Sequence, residues 1–341
     1  MAITKILVIG SNGQIGSELV EALADKYGTD AVVASDLTVA GKSSRARYVQ
    51  LDAMDLEALI SCVNQFEVTQ IYLLAAALSA KAERNPIWGW NLNTQTLLNV
   101  LEVARLKKLD RVFWPSSIAA FGPSTPGSLA PQTTIMDPTS VYGFSKLVGE
   151  RWCNWYFSNH GVDVRSIRFP GLISYKTPPG GGTTDYAIEI FHAAKTDGKY
   201  SCFLGADQEL PMMYMEDAIR ATIEIMEAPA EKVKQRGSYN LAGVSFTPAQ
   251  IAESIQRQLP EFSISYRPDF RSAIAASWPQ SIDDSAALND WGWKAKFDLY
   301  AIVDDMLLNV PAMYGETHIA GHLNAFDDDC QSLPNPNTKA H

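Results

Sequence analysis

The sequence predicts an α/β protein in which a doubly wound parallel sheet is followed by a smaller C-terminal lobe. Three observations predict it. Through the first half of the chain, short runs rich in β-branched residues alternate with amphipathic helical stretches, the pattern of strand–helix–strand units with parallel strands. The first of these runs leads straight into a glycine-rich turn that opens a helix. After about Pro170 the alternation stops: Pro178, Pro179, Gly180, Gly181 and Gly182 mark a loop, and shorter, less regular elements follow.

The strands are expected at residues 6–9, 31–34, 48–51, 71–74, 112–114 and 164–167, and the helices at 15–23, 56–63, 94–106 and 142–157. Six parallel strands joined by crossovers give the spatial order 3-2-1-4-5-6. This organisation assigns residues 1–170 to a nucleotide-binding domain that includes the helix beginning at 142, and residues 171–314 mainly to a substrate-binding lobe. Residues 315–341 are polar, with Asp327-Asp328-Asp329 and prolines at 334 and 336, and read as a tail.

Composition narrows the function. The 341 residues are 46% hydrophobic and 19% charged, an ordinary globular composition. A net charge of −10 repels nucleic acid and anionic membrane, so a small-molecule substrate fits better. The start, Met1-Ala2-Ile3-Thr4-Lys5, runs into the first strand without the apolar region of a secretory signal, and no apolar run approaches the ~18–20 residues needed to span a bilayer. A cytoplasmic location is expected. Cys62, Cys153, Cys202 and Cys330 are far apart and form no Cys-x-x-Cys pair, so four free thiols are expected. His318 and His322 have a metal-like i, i+4 spacing but no evident third ligand, and no metal site is expected.

Gly10-Ser11-Asn12-Gly13-Gln14-Ile15-Gly16 lies between the first strand and the first helix. Glycines here allow a tight turn and close approach of backbone to a pyrophosphate, whose charge is favoured by the amides and dipole of the helix N-terminus. The fold is then of the Rossmann type. Asp36 stands twenty residues after Gly16, at the end of the second strand beside Leu37, where a carboxylate can accept from the adenosine ribose hydroxyls and repel a 2′-phosphate. NAD is therefore the expected cofactor; a turn cap is the other reading of Asp36. Asp52, followed by Ala53, is either an adenine contact or the cap of the next helix. Leu74-Ala75-Ala76-Ala77 supplies small side chains that let a dinucleotide lie close to the strand ends, or else pack tightly.

Tyr142-Gly143-Phe144-Ser145-Lys146 puts a phenol and an ammonium four residues apart on one helix face. A phenol near pKa 10 is a poor base at neutral pH, and a neighbouring ammonium favours its phenolate. Ser116 and Ser117 end the fifth strand, at the carboxyl edge where doubly wound sheets bind ligands.

The glycine motif, Asp36, the serine pair and Tyr-x-x-x-Lys, in that order, resemble the extended short-chain dehydrogenase/reductase family, over roughly residues 3–310. The resemblance implies that Tyr142 acts as general acid/base and that Lys146 orients the nicotinamide ribose and lowers the Tyr142 pKa. It implies that a serine positions the reacting oxygen; the 25-residue interval to Tyr142 matches Ser117, and Ser116 is adjacent and shares the candidacy.

Within that family the segments around Arg168-Phe169-Pro170-Gly171, Gly180 to Ala187, Leu210 to Met215 and Ser277 to Ala286 are similar to the bacterial threonine 3-dehydrogenase branch. That resemblance implies oxidation of the L-threonine β-hydroxyl to 2-amino-3-oxobutyrate with reduction of NAD⁺. It also implies that Ser79, Thr183 and Thr184 lie near the substrate with Trp278 closing that side, and that Phe169 lies at the cofactor. On composition alone, Thr183-Thr184 reads as a helix N-cap and Trp278 as a core aromatic. Residues 94–106 and 146–157 carry apolar residues at helical spacing, and the resemblance implies a homodimer formed through such helices. The rival readings on the same fold are a sugar-nucleotide epimerase or dehydratase, and a non-catalytic NAD sensor that would have no use for both Tyr142 and Lys146.

Overall fold

The computed structural model describes residues 4–311 except 42, 44 and 181. The expected tail, Cys330, His318, His322 and Gly181 lie outside the described residues. The strands are β1 (Ile6–Ile9), β2 (Val32–Asp36), β3 (Arg47–Gln50), β4 (Gln70–Leu73), β5 (Arg111–Ser117), β6 (Val164–Phe169), β7 (Gly171–Ile173), β8 (Lys199–Cys202), β9 (Leu210–Tyr214), β10 (Tyr239–Asn240), β11 (Val244–Phe246) and β12 (Ser263–Tyr266). The helices are α1 (Gln14–Tyr27), α2 (Leu56–Gln65), α3 (Ser79–Arg84), α4 (Pro86–Lys107), α5 (Val141–His160), α6 (Tyr186–Thr196), α7 (Met215–Glu227), α8 (Pro248–Gln256), α9 (Phe270–Ala276), α10 (Ser285–Trp291) and α11 (Leu299–Asn309).

The large sheet has the order β10-β6-β5-β4-β1-β2-β3, and all its pairings are parallel. The expected 3-2-1-4-5-6 arrangement is present and gains a seventh strand on the β6 edge. Successive residues of β1 point to opposite faces, so one short apolar run feeds two layers. Ile6 and Val8 pack with Leu19, Val20 and Leu23 of α1 and Ala218, Ala221 and Ile225 of α7. Leu7 and Ile9 pack on the other side with Leu59 and Val63 of α2 and Leu97, Val100 and Leu101 of α4. Each such side chain, fully withdrawn from water, contributes roughly 1.5–3 kcal/mol before the entropic cost of folding. Fixing the sheet this firmly fixes its carboxyl edge, where β1, β2, β4 and β5 deliver the candidate residues.

The chain re-enters this unit after residue 170. Helix α7 covers the face of the sheet beside α1, and β10 pairs with β6, hydrogen-bonding an edge that would otherwise present unpaired backbone. A second core is built from β7, β9, α6, α8 and α11, with Ile173, Tyr186, Ile190, Phe191, Tyr214, Ile251, Ile302 and Met306 all buried. There β9 pairs parallel with β7 and antiparallel with β11, and β8 pairs with β12.

Among the helices before residue 170, α3 and α4 depart most from expectation. Helix α4 begins at Pro86, eight residues ahead of the expected residue 94, with proline in its first turn where its missing N–H costs nothing. Helix α3 was not expected. Among the described residues no helix is long and apolar enough to cross a membrane.

Candidate active site

The turn after β1 is held by its own backbone. Gly10 and Ser11 donate their N–H groups to the Ser35 carbonyl at 2.9 and 3.0 Å, and Gly13 donates to Gly10 at 3.2 Å. Gly10 has φ +86°, and a Cβ there would stand 2.6 Å from the Ala75 nitrogen. A Cβ on Gly16 would stand 2.2 Å from the Gly10 carbonyl oxygen, whereas one on Gly13 would meet that oxygen at 3.3 Å. Sequence thus requires glycine most strictly at the first and third positions. Gly13 caps α1 without a side-chain hydrogen bond, so the amides of Gln14, Ile15 and Gly16 open the helix uncapped by a side chain. The Ser11 hydroxyl and the Gln14 side-chain amide nitrogen are buried without a partner. Uncapped amides, orphaned polar atoms and a surface without Cβ atoms fit a phosphate group.

Asp36 accepts from the Asn12 N–H through Oδ2 (3.0 Å) and from the Leu37 N–H through Oδ1 (2.8 Å), so it ties the end of β2 to the glycine turn. Each carboxylate oxygen keeps a second lone pair for a ribose hydroxyl. Asp52 accepts from the Met54 N–H at 2.8 Å and shapes the turn before α2, whose N-cap is Asp55. Asp52 is therefore not the helix cap: its carboxylate holds the turn ahead of it. Ala53 is buried, and its carbonyl accepts from the Asn99 side chain at 2.9 Å. Leu74 and Ala75 donate to the Ile9 carbonyl, which carries the half-buried stretch of Leu74, Ala75 and Ala76 alongside the glycine turn. The Phe169 ring is buried against Phe113 in the core.

Helix α5 carries the phenol and the ammonium. The Ser140 hydroxyl caps it by accepting from the Gly143 N–H at 3.0 Å, which makes Tyr142 its second residue. A Cβ at Gly143 would stand 2.2 Å from the Ala119 carbonyl, and one at Gly149 2.3 Å from the Trp114 ring. The helix is therefore seated against β5 and the turn that follows it. Tyr142 is half-buried as a residue but its phenol end lies deep. Burial pushes its pKa up to about 12, and a hydrogen bond with Ser117 pulls the other way. Lys146 is buried, with Nζ donating to the Pro115 carbonyl at 2.7 Å and lying 4.7 Å from the Trp114 ring centre and 5.3 Å from that of Tyr142. Burial lowers its pKa to about 7, against the pull of Cys153 and Glu150. The Ser117 hydroxyl eases Tyr142 ionisation, and Lys146 Nζ, bonded to the Pro115 carbonyl, stands beside the same ring.

The two serines separate. Ser117 lies beside Tyr142, and its oxygen also accepts from the Ala119 N–H at 3.2 Å. Ser116 is buried and donates to Glu150 at 2.7 Å. Adjacent strand residues point in opposite directions, so the shared candidacy of Ser116 is corrected: its hydroxyl serves the Glu150 contact and only Ser117 adjoins the phenol.

On the other side, Ser79 is the buried first residue of α3. A Cβ at Gly180 would lie 3.2 Å from the neighbouring Leu78 side chain, so the glycine loop passes over this segment. Asp185 accepts from the Gly182 N–H at 2.7 Å and stands as the N-cap of α6; the Thr183-Thr184 cap that composition suggested is one residue early. Thr183 is buried with its hydroxyl unpartnered, and Thr184 is half-buried with its methyl group beside Gly171. Trp278 packs against both the second core and the small cluster of Ile118, Phe121, Ala130 and Ile282, immediately after Ser117.

Sequence reasoning missed Asn93. Its amide accepts from Ala77 N–H at 2.7 Å, donates to the Ala77 carbonyl at 3.1 Å, and donates to Ser145 at 3.2 Å, so it joins the loop after β4 to the Tyr–Lys helix. The available signal was a buried amide one residue before the expected start of α4. Among the described residues no three His, Cys, Asp or Glu side chains converge as metal ligands do.

The model of the NAD dependent epimerase/dehydratase family matches residues 6–242, spanning the glycine turn, Asp36, Ser117, Tyr142 and Lys146. The chain belongs to this family. NAD is accordingly its cofactor, and the glycine turn and Asp36 are suited to hold it. An epimerase/dehydratase of uncharacterised function from Staphylococcus haemolyticus is 45% identical over 307 residues, covering 89% of this chain and 96% of that protein. Among solved structures, a GalE-like L-threonine dehydrogenase from Cupriavidus necator, in its holo form, is 62% identical with a TM-score of 0.89, covering 90% of this chain and 100% of that one. A monomeric L-threonine 3-dehydrogenase from a metagenome is 44% identical with a TM-score of 0.87, covering 89% and 98%. The chain is thus an extended short-chain dehydrogenase/reductase by family, and similar over most of its length to threonine dehydrogenases.

Proposed function

We propose that this protein is an NAD-dependent L-threonine 3-dehydrogenase, converting L-threonine to L-2-amino-3-oxobutyrate. The observation that carries the reading is the Ser117–Tyr142–Lys146 grouping at the sheet's carboxyl edge, in a chain 62% identical to a threonine dehydrogenase over nearly its whole length. NAD⁺, when bound, supplies the hydride acceptor for C3 of the substrate. Tyr142, as phenolate, takes the proton of the β-hydroxyl, and the Ser117 hydroxyl holds the oxygen as it becomes a carbonyl. Lys146 contacts the nicotinamide ribose once Nζ turns from Pro115, and Asp36 accepts from the adenosine ribose. The residues of the glycine turn, Gly10, Gly13, Gln14, Ile15 and Gly16, take the pyrophosphate, and Leu37, Ala53, Leu74, Ala75, Ala76 and the backbone of Phe169 line the rest. Ser79, Thr183 and Thr184 bind the amino acid, and Trp278 closes that side; the lobe carrying the last three is the substrate-binding part. The orphaned Thr183 hydroxyl supports this assignment, since a buried hydroxyl without a partner suits one supplied by a ligand.

The reading extends to a homodimer, supported by Leu106 on α4 and Phe144, Trp152 and Trp155 on α5, all large apolar residues left exposed. Light scattering of the purified protein decides between dimer and monomer. The activity is tested by NADH absorbance with L-threonine, L-allo-threonine, L-serine and UDP-sugars. NADH released with L-threonine supports the reading. A cycle that retains the cofactor while converting a UDP-sugar sinks it in favour of an epimerase.

A further inference from the structure

Behind the candidate site lies a buried ion pair that the chemistry above does not use. Glu150 and Arg168 are both withdrawn from water and paired twice, Nε to Oε1 and Nη2 to Oε2, each at 2.8 Å. Such a pair is a poor source of stability: desolvation of two charges consumes much of their attraction, and apolar residues of similar volume often serve as well. What distinguishes it is where its remaining hydrogen bonds go. Glu150 lies one helical turn beyond Lys146 and accepts from Ser116, the residue before Ser117, at 2.7 Å. Arg168 sits on β6 directly opposite Ser116 in register. Its Nη1 donates to the Gln132 carbonyl (3.1 Å) and to the Asn240 side chain (2.8 Å), and Asn240 donates in turn to the carbonyls of Ala130 (3.0 Å) and Asp283 (3.1 Å). Ala130 bridges Ile282, in the cluster against which Trp278 packs. One buried pair therefore joins the helix of Tyr142 and Lys146 and the strand of Ser117 directly, and through Asn240 and Ala130 the cluster against which Trp278 packs.

We propose that Glu150 and Arg168 are positioning residues for the reaction, holding Ser116 on one side of β5 so that Ser117 is aimed at Tyr142, and locking that strand to the Trp278 side of the site. The inference rests on the reaction proposed above. Neither side chain touches the reacting atoms. Their effect is on geometry, and a displacement of about 1 Å remote from the chemistry is enough to cost on the order of 10²-fold in rate.

Removing one partner strands a buried charge, so the test replaces both. Glu150→Gln with Arg168→Met keeps an acceptor for Ser116, whereas Glu150→Leu with Arg168→Met removes it. Wild-type NADH formation from L-threonine is measured first, and its failure sinks the reaction, not the positioning role. In active enzyme, kcat is expected to fall about 3–10-fold in the Gln/Met variant and at least ~30-fold in the Leu/Met variant. The calorimetric Kd for NAD⁺ is expected to stay within about twofold and Tm within a few degrees, which separates loss of aim from loss of fold. A Leu/Met variant with wild-type Tm, wild-type Kd and kcat within about twofold overturns the proposal. Should that variant not fold, Ser116→Ala decides: a kcat lowered about fivefold or more at unchanged Kd for NAD⁺ supports the role, and a kcat within about twofold overturns it.

Discussion

Lys146 donates its buried Nζ to the carbonyl of Pro115, 2.7 Å away, on the strand that ends in Ser117. Burial brings its pKa down to about 7, well under the value near 10.4 of a lysine in the unfolded chain. Between these values the unfolded chain binds a proton that the folded protein does not, so Lys146 makes stability rise with pH across that window. Below about pH 7 both states are protonated and the gain is absent. In the cofactor-free protein, Tm of wild type relative to Lys146→Met should therefore climb from pH 7 to pH 10. The same variant should lower both NAD⁺ affinity, by loss of the ribose contact, and kcat, by loss of the cation beside Tyr142; a parallel Tm profile refutes the titration, and loss of only one kinetic quantity separates these effects.

Tyr142→Phe preserves the ring and removes the oxygen. NAD⁺ should bind as in wild type while kcat falls about 10²–10⁴-fold. Because burial holds the phenol up to about 12, the reactive phenolate is scarce at neutral pH and grows as pH rises. Stopped-flow NADH formation in wild type should accelerate between pH 7 and 9. Turnover of Tyr142→Phe within a few-fold of wild type excludes this residue as the base.

Asp36 binds both the Asn12 and Leu37 amides, so its loss acts on the glycine turn as well as on the cofactor. NADP⁺ would bring a phosphate against the carboxylate, and charged hydrogen bonds are worth roughly 1.5–3 kcal/mol each, which sets a preference for NAD⁺ of at least about 10²-fold in kcat/KM. Asp36→Ala should weaken NAD⁺ binding and narrow that ratio. Asp36→Ser with Leu37→Arg should favour NADP⁺. An unchanged ratio in Asp36→Ala removes the ribose contact from the scheme.

Thr183 carries a buried hydroxyl with no partner, and such a group costs stability. Thr183→Ala should leave Tm of the free protein unchanged or slightly higher while raising KM for L-threonine several-fold at constant NAD⁺ affinity. A drop in Tm with unaltered KM would mean that the hydroxyl belongs to the fold and not to substrate.

The sheet order was legible because β1, β2, β4, β5 and β6 are largely buried and read as short runs, each closed by a turn; β3, exposed at Arg47 and Gln50, was found from its place in the alternation. The strand β10 was not, since two residues, Tyr239 and Asn240, leave no periodicity to detect. The glycine turn, Asp36, Tyr142 and Lys146 stood out as candidates through their order along the chain and the family resemblance that this order carries. Spacing could not say which way Ser116 and Ser117 face, because that depends on Glu150, thirty-four residues on, accepting from the first of them. Nor could it reveal that Asp52 binds Met54, or that Asn93 clasps Ala77, since both depend on where a short polar side chain finds its nearest amide.

The glycines at 143 and 149 let α5, which carries the Tyr142–Lys146 pair, sit directly on the Ala119 carbonyl and the Trp114 ring. The conformational entropy of aligning that pair is thus surrendered during folding rather than at each encounter with substrate. Residues 79, 183, 184 and 278, proposed to bind the substrate, come from separate loops and helix ends instead. On that proposal, divergence can reshape these residues for another carbinol without disturbing the seat of α5.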